Sequence, residues 1–399
     1  MSNILFAWEL GGGYGHLDNM FSIGNQLEIS GHIVNYVVRD LPRAELRTSS
    51  QNLKVFQSPY FLNQNPQKTS AINFSDILLR CGYSNPVELA GLIRGWIHLI
   101  QLIQPEIILV DHAPGAILAA KILNIAICNA ATGFVFPPNT TPLPGFHNQN
   151  NISLQQLKDK DEQVVQSINT VIKNYSGEPL GNISQLFDIE HSFMCTFSEL
   201  DHYGARPDTD YCGSIYSTFG ESFPAWQQDS KKKKIFLYLS AAHPLFKSIV
   251  EQLRNSPYQV LLHPRDMKWK HNEQTIDQSL FISPRPINMD IVTEHADLVI
   301  CHGGHATSSA VLLSGIPLII IPQQVEQQVF ANRLTSQNLA VHFNTNLKNI
   351  NWIDIIEQKL HDEVLKNNVK IFSKKYKNFK VAKACQHVVQ GLERILSNK

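Results

Sequence analysis

Short apolar runs alternate along this chain with stretches whose apolar residues recur at helical spacing. The first kind reads as buried strand and the second as amphipathic helix. Ile4–Trp8 is strand-like, and Glu9–His16 is a glycine-rich loop. Leu17–Ser30 places Leu17, Met20, Phe21, Ile23, Leu27 and Ile29 at mostly helical spacing. Gly31 and His32 stop that helix, and Ile33–Val38 is the next strand. This opening predicts a βαβ unit, hence a parallel sheet with a right-handed crossover. Further on, Val87–Gln104 is predicted helical and Glu106–Val110 a strand ending at Asp111. Ala113–Leu123 follows as a helix and Ile125–Asn129 as a strand. Pro137–Gln149, rich in Pro, Asn and Thr, reads as a long loop.

A second series starts after Gly213–Lys234, a stretch whose Gly, Ser, Pro and Lys231–Lys234 run read as a solvated hinge. Ile235–Leu239 and Gln259–Leu262 are strands flanking a helix over Leu245–Arg254. Leu298–Cys301, Ser308–Ser314 and Leu318–Ile321 repeat the strand–helix–strand alternation, with Ile316–Pro322 as one apolar run. Val325–Gln337 and most of Trp352–Leu396 are helical. The pattern predicts an α/β chain of two Rossmann-like domains, each a doubly wound parallel sheet covered by helices, facing a central cleft. The expected bounds are an N-terminal domain over 1–218, a linker over 219–233 and a second domain over 234–375. A C-terminal helix over 376–399 completes the chain, with a return to the first domain open to it.

Composition narrows the classes. A chain of 399 residues suits two or three domains. A hydrophobic share of 43% excludes a mainly disordered chain. Lys+Arg and Asp+Glu both number 34, so net charge makes no case for nucleic acid. The six cysteines, at 81, 128, 195, 212, 301 and 385, form neither a CxxC motif nor a disulfide framework, which points to a reducing cytoplasm. No apolar run reaches the ~18 residues of a membrane span, so no integral membrane segment is expected. Peripheral membrane contact stays open.

Three segments gather residues that carry chemistry. In Glu9-Leu-Gly-Gly-Gly-Tyr-Gly-His16, Gly12, Gly13 and Gly15 let the backbone turn tightly and approach a ligand. The run departs from GxGxxG, because His16 stands where the third glycine would fall, although Asp40 ends the next strand where a ribose-binding acid sits. His16, at the loop mouth and a helix N-terminus, is expected to face the cleft. Asp111, at the carboxyl end of its strand, reads either as a helix N-cap or as a partner of His16. A carboxylate on one imidazole nitrogen fixes the tautomer and stabilises the imidazolium formed when the other takes a proton. The third segment ends a strand in His302-Gly303-Gly304 and is expected to begin a helix at Thr307-Ser308-Ser309. Exposed N–H groups and the helix dipole make an anion site there. The following strand ends at Pro322, and Glu326-Gln327 make an acid–amide pair placed to grip sugar hydroxyls.

These segments resemble the inverting GT-B glycosyltransferases of the UDP-glycosyltransferase and macrolide glycosyltransferase type. That family's donor signature is matched at His302, Gly303, Gly304, Thr307, Leu312, Gly315, Ile316 and Pro317, then at Pro322, Glu326 and Gln327. Gly15-His16 and Asp111 match its N-terminal element, so the resemblance spans nearly the whole chain. It implies transfer of a sugar from a nucleotide diphosphate sugar, a UDP- or dTDP-hexose, to a hydroxyl of a small-molecule or lipid acceptor. It implies inversion at the sugar, no metal, and no cofactor beyond the donor, which is a co-substrate. His16 inherits the role of general base and Asp111 that of its orienting partner. Ser240, His302, Gly304 and Thr307 inherit phosphate contacts, Glu326 and Gln327 the sugar hydroxyls, and Arg285 and Ile287, flanking Pro286, the nucleobase segment.

Three positions depart from the pattern. Ala310 replaces the glutamate that grips the ribose, Ala306 the usual Gly or Asn, and Pro284 the Trp of plant members. Loss of one charged hydrogen bond costs about 1.5–3 kcal/mol. A catalytically silent sugar-nucleotide-binding partner protein therefore stays open as an alternative. A dinucleotide-dependent oxidoreductase is a third, against which the glycine spacing counts. Asp208-Thr-Asp210 and Asp159-Lys-Asp161 imitate a metal-binding DxD but follow no convincing apolar strand, and His302 and His305 lack a third ligand. His112, His243 and His263 are expected in surface or capping roles, and Trp226 and Trp269 in local packing. The loops Ser58–Phe74 and Pro137–Asn151 are expected to shape the acceptor pocket.

Overall fold

The computed structural model describes residues 1–47, 53–62, 69–146, 152–217, 220, 226, 231–266, 279–344 and 350–398. Most of the expected linker, Trp269, and parts of both acceptor-loop candidates (63–68 and 147–151) lie outside the described residues. The strands are β1 (Asn3–Ala7), β2 (Ile33–Val38), β3 (Lys54–Gln57), β4 (Ile107–Val110), β5 (Ala126–Ala131), β6 (His191–Met194) and β7 (Asp210–Tyr211). They form one sheet in the order β3-β2-β1-β4-β5-β6-β7. A second sheet holds β8 (Lys234–Ser240), β9 (Gln259–Arg265), β10 (Leu280–Ile282), β11 (Leu298–Cys301), β12 (Leu318–Ile320) and β13 (Val341–His342), ordered β10-β9-β8-β11-β12-β13. Neighbouring strands in both sheets are parallel. Both orders are the doubly wound Rossmann arrangement, which reverses between β1 and β4 and between β8 and β11.

The described chain divides into two compact units. One joins Met1–Ile215 with Lys380–Lys399, and the other is Tyr216–Phe379. In the first, β4 is buried along its whole length, as a central parallel strand covered on both faces must be. The helix Pro86–Ile103 starts where the Asn85 side chain accepts a hydrogen bond from the Val87 N–H, and stops at Gln104 in the left-handed region. The helix Val381–Ser397 packs against the helix Gly15–Ile29. It buries Ala384, Cys385, Val388, Val389 and Leu392, a stripe at helical spacing. In the second unit, Leu237, Ile300 and Ile319 of adjacent strands form the core with Trp352 and Ile356 of the helix Trp352–Leu360.

Some elements differ from the sequence reading. β3, β6, β7, β10 and β13 escape periodicity because they are short and lie away from the central strand pairs; the neighbouring strand supplies their order. β9 continues through His263-Pro264 to Arg265, paired to β8 as far as Ser240. The helix expected from Ser308 begins at His305, and of the run Ile316–Pro322 only Leu318–Ile320 is strand. Among the described residues, no helix is long and apolar enough to cross a membrane.

Candidate active site

In the first unit, Ala7 of β1 pairs with Val110 of β4, so Trp8 and Asp111 leave the sheet side by side at its switch point. The Asp111 N–H donates to the Ala7 carbonyl (2.9 Å), and the Leu10 N–H to the His112 carbonyl (2.9 Å). These bonds join the two loops before any side chain acts. His16, second residue of the helix Gly15–Ile29, then places Nδ1 at 3.0 Å from Asp111 Oδ1. Asn19, one turn along, donates through Nδ2 to Asp111 Oδ2 (3.3 Å) and to the Ala130 carbonyl at the end of β5 (2.6 Å). The buried Trp8 ring stacks on the imidazole, centroids 5.1 Å apart. A carboxylate accepts, so Nδ1 carries the proton and Nε2 is the basic atom.

Gly11 is required here twice. Its φ is +80°, and a Cβ would stand 2.9 Å from His16 Nε2 and 3.0 Å from His112 Nδ1. Around Gly12, Gly13 and Gly15 a Cβ would meet no neighbour within 4 Å, so those three are open to a ligand. Glu9 lies beneath the loop, buried, with Oε2 accepting from the Gly115 N–H (2.7 Å) at the start of the helix Pro114–Leu123. Burial pushes its carboxyl up to about 7, against the opposing pull of the Gly115 hydrogen bond. His112, expected at the surface or as a cap, is instead buried, with its ring 6.0 Å from His16 and 5.7 Å from Phe74. Burial, aided by the neighbouring His16 and Arg39, holds it well below the usual imidazole range, so it is neutral.

The second unit collects its candidates within one stretch of chain. β11 ends in His302-Gly303-Gly304, and the helix His305–Leu313 follows with Gly304 as its N-cap. Gly303 has φ +85°, and a Cβ there would stand 2.6 Å from Ile320 Cγ2 of β12. The Ser308 N–H makes the first helical bond to the Gly304 carbonyl (3.0 Å), which leaves the first-turn N–H groups, up to Thr307, outside the helical ladder. The buried His302 lies 3.4 Å through Nε2 from Arg265 Nη1, at the end of β9, and 3.4 Å through Nδ1 from the Tyr238 carbonyl of β8. Burial, then the Arg265 charge, lower its pKa to about 4; burial alone does the same for His305. Both imidazoles are neutral at pH 7, and the cation beside them is Arg265, whose Nε is paired with Asp266 Oδ2 at 2.9 Å.

Ser240 is buried at the end of β8, where its hydroxyl accepts from the Ala242 N–H (3.2 Å). Gln327 accepts through Oε1 from the N–H groups of Gln323 (2.9 Å) and Gln324 (3.1 Å), so this amide caps the helix Val325–Ser336, leaving its NH2 end for a ligand. Glu326 beside it is half-buried. Arg285 is exposed in the turn after β10, held by Ser283, whereas the Ile287 side chain is buried and offers a ligand only its backbone. His243 caps a turn through Nδ1 to the Leu245 N–H (3.1 Å), and His263 lies 3.1 Å from the Ser283 carbonyl; both are buried. Asp161 is internal, accepting from Ser75 Oγ (2.6 Å) and the Leu143 N–H (2.8 Å). Sequence reasoning missed Trp8, Asn19 and Arg265. Only Asn19 left a signal, one helical turn from His16.

Over its whole length the chain is similar to a solved structure of the calicheamicin glycosyltransferase CalG4, with TM-score 0.73 at 15% identity, covering 99% of this chain and 98% of that one. This chain has the GT-B fold. A structure of the spinosyn rhamnosyltransferase SpnG complexed with thymidine diphosphate is similar too, with TM-score 0.67 at 14% identity over 98% of this chain and 100% of that one. Residues 244–388 of the GT-B chain match the family model of the glycosyltransferase family 28 C-terminal domain. NDP-glycosyltransferase YjiC of Bacillus subtilis (strain 168) is 29% identical over 97 residues, 24% of this chain and 24% of that protein. The chain thus matches about a quarter of this curated relative's length.

Proposed function

We propose that this chain is a metal-independent glycosyltransferase that moves a hexose from a nucleoside diphosphate to an acceptor hydroxyl with inversion. The observation that carries the reading is the His16–Asp111 contact, supported by Asn19, at the switch point of the first sheet. Such a pair takes a hydroxyl proton at Nε2 as the oxygen attacks, while Asp111 stabilises the imidazolium that forms. The match of residues 244–388 to a glycosyltransferase C-terminal domain supports the donor on the second unit. There the first-turn N–H groups up to Thr307, with Arg265 behind His302, are suited to a leaving diphosphate. Glu326 and the amide nitrogen of Gln327 are suited to the sugar hydroxyls, and the backbone at Ile287 with Arg285 to the base. The thymidine diphosphate bound to SpnG supports dTDP alongside UDP as the nucleotide to try, and the spinosyn aglycone bound to that enzyme supports a small-molecule acceptor.

The test is release of nucleoside diphosphate from a panel of UDP- and dTDP-sugars with EDTA present, comparing wild type with His16→Ala. Slow donor hydrolysis that disappears in the variant supports the reading. Absence of both release and donor binding overturns the donor assignment. One observation favours a second reading. Ala310 is buried at the position where the resembled family's pattern has a ribose-gripping glutamate, and donor binding without turnover by any acceptor would mark a silent sugar-nucleotide binder.

A further inference from the structure

We propose that Asp210, Cys212 and His387 form a Zn2+ site, with water as its fourth ligand, that fastens the C-terminal helix to the outer strand of the first sheet, and that His191 orients the Asp210 carboxylate. Asp210 belongs to a DxD string that the transfer reading leaves unused, and it lies on β7, the edge strand beside β6. Two imidazoles converge on its carboxylate through Nε2. His191, at the start of β6, lies 2.8 Å from Oδ2. His387, on the helix Val381–Ser397, lies 2.8 Å from Oδ1 and 3.0 Å from Oδ2. Ligand atoms of Asp210, Cys212 and His387 all fall within 4.8 Å of one another. The Phe193 ring, 4.3 Å from His191 and 6.3 Å from His387, holds both imidazoles in place.

The donor set and its spacing suit this ion. An imidazole, a thiolate and a carboxylate are ligands that tetrahedral zinc takes, with a water in the fourth position. Bonds of about 2.0–2.3 Å set neighbouring ligand atoms about 3.3–3.6 Å apart around one ion. The His387–carboxylate distances need to open by only a few tenths of an ångström, and the Cys212 sulfur to move inward. The His191, Asp210 and His387 side chains are 39%, 27% and 44% exposed, so an ion enters without disturbing the core. The thiol gives up its proton to solvent as the metal–sulfur bond forms.

The placement gives the site a purpose apart from the transfer reaction. Chain continuity leaves the first unit after Ile215 and re-enters it at Lys380. Cys212 precedes the exit and His387 follows the return. One ion there closes the 177-residue separation between Asp210 and His387 and holds the returning helix in its seat.

The full chain, stripped with a chelator and dialysed, is titrated with Co2+ and then with Zn2+. The expected result is one Co2+ per chain, with d–d bands of tetrahedral intensity and a thiolate-to-cobalt charge-transfer band, all removed by Zn2+. Cys212→Ser removes the charge-transfer band, and His387→Ala weakens binding by roughly a hundredfold or more. Zn2+ raises the melting temperature of wild type by several degrees and leaves that of His387→Ala unchanged. Circular dichroism checks that each variant folds; if His387→Ala does not, Asp210→Asn and Cys212→Ser carry the comparison. No uptake by wild type, uptake without a charge-transfer band, or uptake that persists in both Cys212→Ser and His387→Ala overturns the site.

Discussion

The two units build their candidate sites at equivalent places in the same topology, by different means. In the first, the candidate residues are a pair 95 residues apart in sequence, His16 and Asp111, joined when β1 and β4 align. In the second, the candidate groups from His302 to Gln327 follow one another around a single strand–helix–strand segment. Their electrostatics differ as well. The first site holds a carboxylate against an imidazole over a buried acid, Glu9. The second holds neutral histidines, with Arg265 as the cation beside them. A fold of this kind fixes where a site forms, and the loops decide what it does.

The largest effect expected separates the two sites by function. His16→Ala lowers transfer by about 10²–10⁴-fold, near 3–5 kcal/mol of barrier, and leaves donor affinity unchanged; diphosphate release and donor calorimetry read the two. A parallel loss of donor affinity sinks the division of labour between the units.

Gly303→Ala is expected to destabilise the second unit by about 2–5 kcal/mol, from the left-handed backbone and the crowding against Ile320, measured by denaturant unfolding.

A third prediction turns on pH. Glu9 titrates at about 7 in the fold against 4.5 ordinarily, so the native state holds its proton between those values and loses stability as pH rises through that window. Glu9→Gln removes this slope, which amounts to on the order of 3 kcal/mol by pH 8. His305 gives the opposite sign. Its pKa of about 4 lies below the ordinary 6.5, so its contribution is full above 6.5 and is lost as pH falls towards 4. His305→Gln flattens that acid slope. Melting curves from pH 4 to 8 on wild type and both variants check the contrast, and wild-type-minus-variant slopes of the same sign in the two refute it.

Asn19→Ala is expected to cost about 1–3 kcal/mol by leaving the Ala130 carbonyl without this donor, with kcat falling more than the donor KM changes. Gly12→Ala stands at the small end. With open space and an ordinary φ, it moves stability by less than about 0.5 kcal/mol, seen in the same denaturation assay.

Much of the core was legible in advance. Ile4–Trp8, Ile33–Val38 and Glu106–Val110 announced strands of the sheet interior, because a strand buried on both faces is mostly apolar, with Asn35 a polar exception inside β2. The outer strands did not. His191-Ser192 opens β6 on polar residues, and β7 has two residues, so only hydrogen bonding to a neighbour makes them strands. The helix start at His305 was misplaced because Gly304, an N-cap without a side chain, gives a weaker signal than the serines that follow. His112 was read as a surface or capping residue because nothing local shows that Phe74, far along the chain, closes over it.

The sequence alone determined the alternation of strands and helices, the positions of the glycine turns, and the contiguity of the His302–Gln327 segment, because these depend on neighbours within a few residues. Tertiary structure decided which residues Asp111 meets, that Glu9 is buried, that Arg265 stands behind His302, and that His191 and His387 converge on Asp210. The physical reason is range. Periodicity and capping act over one or two turns of chain, whereas strand order and burial bring together side chains that no local pattern connects.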